Sequence, residues 1–127
     1  GKRCNIGHAP IIIFKNNKPF LTVGSPGGFG IIQYLFQVLS HVLNFGIDLQ
    51  TAIELPRFKI SNNIKDIYFE NRYGNLLGQL NSQNFNIKKF DEWTDIVGGV
   101  EGITKNSFGN YLNCYDVRRN SHSQGLY

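Results

Sequence analysis

Gly27 and Gly28, in the run Gly24-Ser25-Pro26-Gly27-Gly28, are the sharpest feature of this sequence, a segment whose residue types and spacing could carry chemistry. Two successive glycines at the mouth of an apolar helical stretch leave backbone N–H groups unobstructed and permit φ values closed to other residues. The first N–H groups of a helix lack internal partners, and the helix dipole adds positive potential there. Such a turn suits an anion: a phosphate, a carboxylate, or the oxyanion of a tetrahedral intermediate. The same pattern also serves as a plain strand-to-helix turn, and local pattern alone favours that use. No Gly-Lys-Ser/Thr follows, which argues against a Walker-type phosphate loop.

The other polar residues do not assemble into a nucleophile constellation. Ser25 is not in Gly-x-Ser-x-Gly spacing, and no Asp–His pair accompanies it. His8 precedes the first strand, His41 sits on a polar helix stripe, and His122 lies in a Ser/Gln-rich tail, so each reads as structural or exposed. Asp91, Glu92 and Asp95 fall in a solvated loop. Arg57, after Pro56, reads as a guanidinium tying a helix end to nearby carbonyls in preference to a carboxylate receptor. Asp116 can pair locally with Arg118 or Arg119. Cys4 and Cys114 stand far apart with no CxxC and no histidine at metal spacing, so no metal or cofactor is expected. A single bridge between them and two free thiols both stay open.

The elements that must position the turn follow from pattern. Pro10 to Phe14 is a β-branched run, Asn16-Asn17-Lys18-Pro19 is turn chemistry, and Phe20 to Val23 is a second strand, together a hairpin ending at Gly24. Ile31 to about Phe45 is helical, with Gln33, Gln37, His41 and Asn44 as one narrow polar stripe and Gly46 as the stop. A helix apolar over most of its circumference is expected to be buried between layers. Asp48 caps a second helix containing Thr51 to Glu54, which ends before Pro56. Asp66 to Glu70 alternates as a strand, Tyr73 to about Gln83 is a third helix, and Phe85-Asn86-Ile87 returns as a strand. Ile96 to Ile103 and Tyr111 to Tyr115 form a terminal hairpin. Elements in this order give an α+β layered sandwich.

At 127 residues, with 41% hydrophobic and 17% charged content, the chain fits one packed domain over residues 1–127. Its net charge of +4 is spread over dispersed pairs such as Lys2-Arg3, Lys88-Lys89 and Arg118-Arg119, which does not make a nucleic-acid surface. The polar stripe interrupts the best apolar stretch, so no membrane span is expected, and Gly1 opens no secretory signal.

Taken in order, these blocks resemble the γ-glutamyltranspeptidase (γ-glutamyltransferase) family, C-terminal part of the small subunit. Gly1-Lys2-Arg3 resembles the family's Gly-Lys-Arg-Pro segment, and Ala9-Pro10-Ile11-Ile12-Ile13 its Ser-Pro-Thr-Ile-Val strand. Lys18 through Gly28 closely matches its Gly-Ser-Pro-Gly-Gly block. Leu35 to Leu39 and Phe45-Gly46-Ile47-Asp48 resemble the helix that follows and its stop. Ala52-Ile53-Glu54-Leu55-Pro56-Arg57-Phe58 is similar to its Ala-Val-x-Ala-Pro-Arg-Phe. Gly98 to Ile103 and Asp116-Val117-Arg118-Arg119 take the places of its Gly-Gly-x-Gln-x-Ile and Asp-Pro-Arg endings. The likeness spans nearly the whole chain, strongly up to Phe58 and loosely beyond.

The resemblance implies an N-terminal-nucleophile hydrolase with an αββα sandwich, of which this chain is the C-terminal portion. In the family a precursor cleaves itself and frees a threonine that attacks a γ-glutamyl amide such as glutathione, in the periplasm or outside the cell. It implies that the N–H groups of Gly27 and Gly28 form the oxyanion hole. It also implies that the partner is the remainder of the precursor or its large subunit. The family's threonine lies upstream of Gly-Lys-Arg, and Thr22, Thr51, Thr94 and Thr104 are internal, so the chain is expected to be inactive alone. The family's substrate-binding serine pair falls on Ile6 and Gly7, which carry no hydroxyl, and its Ser-Arg after the glycines is Phe29-Gly30. Two other readings follow from these departures: a related amidohydrolase with a different acyl substrate, and a degenerate domain that only binds or supports.

Overall fold

The computed structural model of the chain describes residues 1–3, 7–62, 65–74 and 85–120. Cys4, Ile6 and His122 lie outside them, as does most of the helix expected from Tyr73 to Gln83.

Strands β1 (Ile11–Lys15) and β2 (Lys18–Gly24) form the expected hairpin. Its tight turn places Asn16 and Asn17 at φ 52 and 59, a left-handed conformation that asparagine tolerates better than most residues. Next in chain order come α1 (Ile31–Phe45) and α2 (Leu49–Glu54), then β3 (Phe58–Ile60), β4 (Asp66–Glu70), β5 (Asn86–Phe90), β6 (Glu101–Lys105) and β7 (Tyr111–Cys114). Two sheets result. One is antiparallel in the order β1-β2-β6-β7; the other is β3-β4-β5, with β4 and β5 parallel. The terminal hairpin is therefore β6–β7, while Ile96 and Val97, expected in its first strand, form a short 3-10 turn, Asp95–Val97.

Helix α1 lies across one face of the larger sheet. Its buried side chains Tyr34, Leu35 and Val38 meet Leu21 and Val23 of β2 and Leu49, Ala52 and Ile53 of α2, with Val97 and Val100. Burial of each large apolar side chain here contributes about 1.5–3 kcal/mol. The helix ends on Gly46 in the left-handed conformation, whose N–H returns to the His41 carbonyl. Asp48 caps α2 as expected, accepting from the Thr51 N–H at 3.0 Å.

One expectation is corrected. Ile32, Phe36 and Leu43 are 74%, 71% and 51% exposed, so α1 covers one layer and is not enclosed between two. The reason is that the described chain packs elements against only one side of this helix. The sheet is likewise open on its far face, where Ile12, Phe14 and Ile103 are exposed.

The polar stripe of α1 has a definite use. Gln33 and Gln37 turn their amides onto β3 and pair with its backbone as a neighbouring strand would. Gln33 Oε1 accepts from the Ile60 N–H at 2.8 Å while Nε2 donates to the Ile60 carbonyl at 3.1 Å. Gln37 repeats this with Phe58, accepting at 3.1 Å and donating at 2.9 Å. Spacing of four residues on a helix puts both amides on one face at the strand's two-residue repeat. The free edge of β3 is thereby satisfied, and the smaller sheet is fixed to α1.

Candidate functional site

The Gly24-to-Gly28 segment leaves β2 and enters α1 through a 3-10 turn, Gly28–Gly30. Gly27 has φ 130 and Gly28 φ 59, so two successive residues occupy backbone regions that L side chains rarely adopt. Among the described residues no acceptor takes the N–H of either glycine. Gly28 is exposed, and Ser25 beside it donates its hydroxyl to the Pro26 carbonyl at 2.7 Å, a purely local contact.

Gly7 packs directly on this turn: a β-carbon built on it would lie 3.3 Å from the Gly28 carbonyl oxygen. The two segments singled out in the sequence are therefore neighbours in space. They share a cleft of about 300 Å³ whose other walls are His8, Ala9, Phe29, Ile31 and Ile32. His8 is exposed at this cleft, and His41 stays on α1 against the Phe45 ring, 6.1 Å between centroids. Asp91, Glu92 and Asp95 are exposed in their loop, as expected.

The turn is backed by a tyrosine that the sequence did not single out. Tyr34 is fully buried, and its hydroxyl donates to the Ile96 carbonyl at 2.8 Å. Burial pushes its phenol pKa up to about 12, against a smaller lowering by Arg57 and Arg119. The only local signal was one polar hydroxyl on the most apolar face of the helix.

Behind it lies a buried charge cluster. Arg57 is 1% exposed and pairs through Nη2 with Asp116, which also accepts from the Val100 N–H at 2.8 Å. Arg118 reaches Asp116 at 3.1 Å and both oxygens of Glu70 at 2.6 Å. The expected role of Arg57 is corrected here: the helix-end carbonyls of Ile53 and Leu55 are taken by Arg118, at 2.9 and 2.8 Å. Arg57 Nε and Nη1 are buried and find no acceptor among the described residues. Burial lowers the Arg57 pKa, and the neighbouring Arg118 lowers it further, against Asp116. For Arg118 burial acts in the same sense but is outweighed by Glu70 and Asp116, which hold its charge. Glu70 escaped sequence reading because its only mark is a carboxylate closing an otherwise apolar strand.

Cys114 is a buried thiol with its pKa raised by burial. Among the described residues no group of His, Cys, Asp or Glu could hold a metal ion, and no helix is long and apolar enough to cross a membrane.

Two sheets and two helices in this order make an α+β fold, and its likeness to solved structures places it in the N-terminal-nucleophile hydrolase type. Solved structures share it. A gamma-glutamyltranspeptidase from Pseudomonas nitroreducens complexed with L-DON superposes with a TM-score of 0.84 at 23% identity, over 100% of this chain and 66% of that one. The transpeptidase enzyme CapD of Bacillus anthracis gives 0.81 at 27% identity, over 99% of this chain and 74% of that one.

The gamma-glutamyltranspeptidase family model matches residues 1–126, and this chain belongs to that family. The glutathione hydrolase proenzyme of Bacillus subtilis (strain 168) is 31% identical over 118 residues, which is 92% of this chain and 20% of that relative. The chain thus spans about one fifth of the length of that curated relative.

Proposed function

We propose that this chain supplies the oxyanion hole of a γ-glutamyltransferase or glutathione hydrolase-type enzyme, and that it acts only with a threonine-bearing remainder of the precursor or large subunit. The observation that carries the reading is the pair of left-handed glycines, Gly27 and Gly28, whose N–H groups no described acceptor takes, set beside Gly7.

In this reading the threonine hydroxyl attacks the carbonyl carbon of a γ-glutamyl amide such as glutathione, and the threonine's own α-amine takes the proton. The carbonyl oxygen becomes an oxyanion held by the N–H groups of Gly27 and Gly28. A donor of this kind contributes about 3–4 kcal/mol to lowering the barrier in other enzymes. Collapse expels the amine, and water or an acceptor amine then takes the acyl group. The chain's own threonines are engaged elsewhere: Thr22 donates to the Ile11 carbonyl, Thr104 to the Phe20 carbonyl, and Thr94 caps a 3-10 turn. Thr51 lies inside α2. The bare apolar face bearing Ile12, Phe14 and Ile103 is where the second layer of the αββα sandwich would pack. The family's setting outside the cytoplasm comes with the same reading.

A second reading keeps the chemistry and changes the acyl group. Ile6 and Gly7 stand where the family has two serines, and the adjoining cleft is walled by Ala9, Phe29, Ile31 and Ile32. An apolar acyl group suits such walls better than a charged amino acid does.

The test combines this chain with the threonine-bearing segment and follows a chromogenic γ-glutamyl anilide. Turnover by the combination and none by the chain alone is the expected result. Turnover of other amides only selects the second reading. Turnover of no amide leaves a supporting domain and overturns both.

A further inference from the structure

The slot behind the glycine turn is cut to the outline of one side chain. A β-carbon on Gly30 would overlap the Tyr34 hydroxyl, and one on Gly98 would overlap the Tyr34 ring. A β-carbon on Gly27 would lie 2.9 Å from Tyr34 Cε2. The ring therefore rests on bare backbone at Gly27, Gly30 and Gly98 together. Its far end is tied by the hydrogen bond to the Ile96 carbonyl. The phenol fills space that any side chain at position 30 would occupy.

The wall against which Tyr34 presses is itself held. Gly98 donates to the Asp95 carbonyl at 3.0 Å, and Val100 donates to Asp116 in the charge cluster. Across Gly99 lies the Arg119 stem, 2.8 Å from where a β-carbon would stand, with Arg119 Nη2 on the Asp95 carbonyl at 3.4 Å. A continuous path of contact thus runs from Asp116 through residues 98–100 and the Tyr34 ring to the peptide planes of Gly27.

We propose that Tyr34 is a positioning residue for the Gly27–Gly28 turn, setting the direction of its two N–H groups by acting as a rigid spacer between that turn and the 95–99 segment. The inference rests on the oxyanion reading for its catalytic consequence, but the geometric part stands on the contacts alone. Two adjacent glycines have the widest backbone freedom of any dipeptide, so a donor pair built on them needs an external support to stay aimed. A planar ring on α1 with both ends fixed provides one.

The test uses Tyr34→Phe, which removes only the tie to Ile96, and Gly30→Ala, which drives the ring from its slot without altering Gly27 or Gly28. Each is made in the chain assembled with the threonine-bearing segment, and amide NMR signals are followed in the same samples. Displacing donors that act on the transition state lowers kcat with KM nearly unchanged, so Tyr34→Phe is expected to cost about tenfold in kcat with less than about a twofold change in KM. Gly30→Ala costs more. The N–H signals of Gly27, Gly28 and Gly98 shift in both variants, while that of Tyr68 in β4 stays in place. A lower melting temperature with kcat and the glycine signals unchanged would overturn the proposal and reduce Tyr34 to core filling. Absence of any amide turnover in the unsubstituted assembly would refute the oxyanion reading instead, and the glycine signals would still decide the role of Tyr34.

Discussion

Arg118 grips Glu70 with two nitrogens at once, Nε on Oε1 and Nη2 on Oε2, each at 2.6 Å. Neither side chain is exposed. Glu70 ends β4 and Arg118 follows β7, so this contact fastens the smaller sheet to the larger. Arg118 also binds the last carbonyls of α2 and one oxygen of Asp116, whose other oxygen holds Arg57 and the Val100 N–H. Planar, always-charged guanidinium groups suit such bidentate burial.

Removing one member should therefore be costly. Asp116→Ala leaves two buried guanidinium groups short of a counter-charge and is expected to destabilise the fold by about 3–5 kcal/mol in urea unfolding. Lys88→Ala removes an exposed ammonium from Asp66, 3.2 Å away, and from the hydroxyl and ring of Tyr68, and should leave the urea midpoint nearly unchanged. Equal effects would mean that the cluster is not the joint between the sheets.

Gln37→Ala strips the Phe58 N–H and carbonyl of their partners on a strand edge that is part-buried. A loss of about 1–3 kcal/mol is expected from the unpaired groups. Gln37→Glu keeps the acceptor but sets a second carboxylate oxygen against the Phe58 carbonyl, so it should be destabilising above the carboxyl pKa and milder in acid. A urea midpoint for Gln37→Glu that does not change with pH would contradict the strand-like pairing.

Alkaline stability carries the mark of two tyrosines. Burial pushes Tyr34 and Tyr73 from 10.0 to about 12, with Glu70 adding to the rise at Tyr73. Between those values the unfolded chain has lost the phenolic protons while the folded chain keeps them. Stability is therefore fully present below pH 10 and is lost as pH rises toward 12. Tyr34→Phe should flatten this fall, measured as the urea midpoint against pH. An unchanged slope would show that the Tyr34 phenol ionises as freely folded as unfolded.

At the turn, the two glycines should respond differently to an added side chain. Gly28 at φ 59 has open space around a β-carbon, so Gly28→Asn should fold, at a cost of about 1–2 kcal/mol or less for the left-handed backbone. Gly27→Ala meets the Tyr34 ring at 2.9 Å in a conformation of φ 130 and should lower the melting temperature further. Thermal unfolding of the two variants checks the order, and the reverse order would contradict the packing described.

Much of the scaffold was legible because local chemistry decides it. The β1–β2 hairpin follows from β-branched runs around Asn16-Asn17, α1 from its apolar period and Gly46, and the start of α2 from Asp48. The glycine turn was legible as a strand-to-helix junction for the same reason. Long-range pairing was not. Strand β3 is three residues long and owes its place to Gln33 and Gln37, far away in sequence, and no local period announces it. Arg118 keeps the expected pair with Asp116 but also takes the helix-end carbonyls expected for Arg57, because proximity to Pro56 says nothing of where residue 118 returns. Tyr34 and Glu70 look ordinary until the glycines and guanidinium groups around them are brought together by the fold.

The proposed oxyanion hole at Gly27 and Gly28 decides what this chain does. Its most direct test is a structure of this chain assembled with the threonine-bearing segment, with a boronate adduct on the threonine as a stand-in for the tetrahedral intermediate. The expected result is one boronate oxygen about 2.7–3.1 Å from the backbone nitrogens of Gly27 and Gly28. An adduct whose oxygens all face away from that turn, held by other donors, would contradict it.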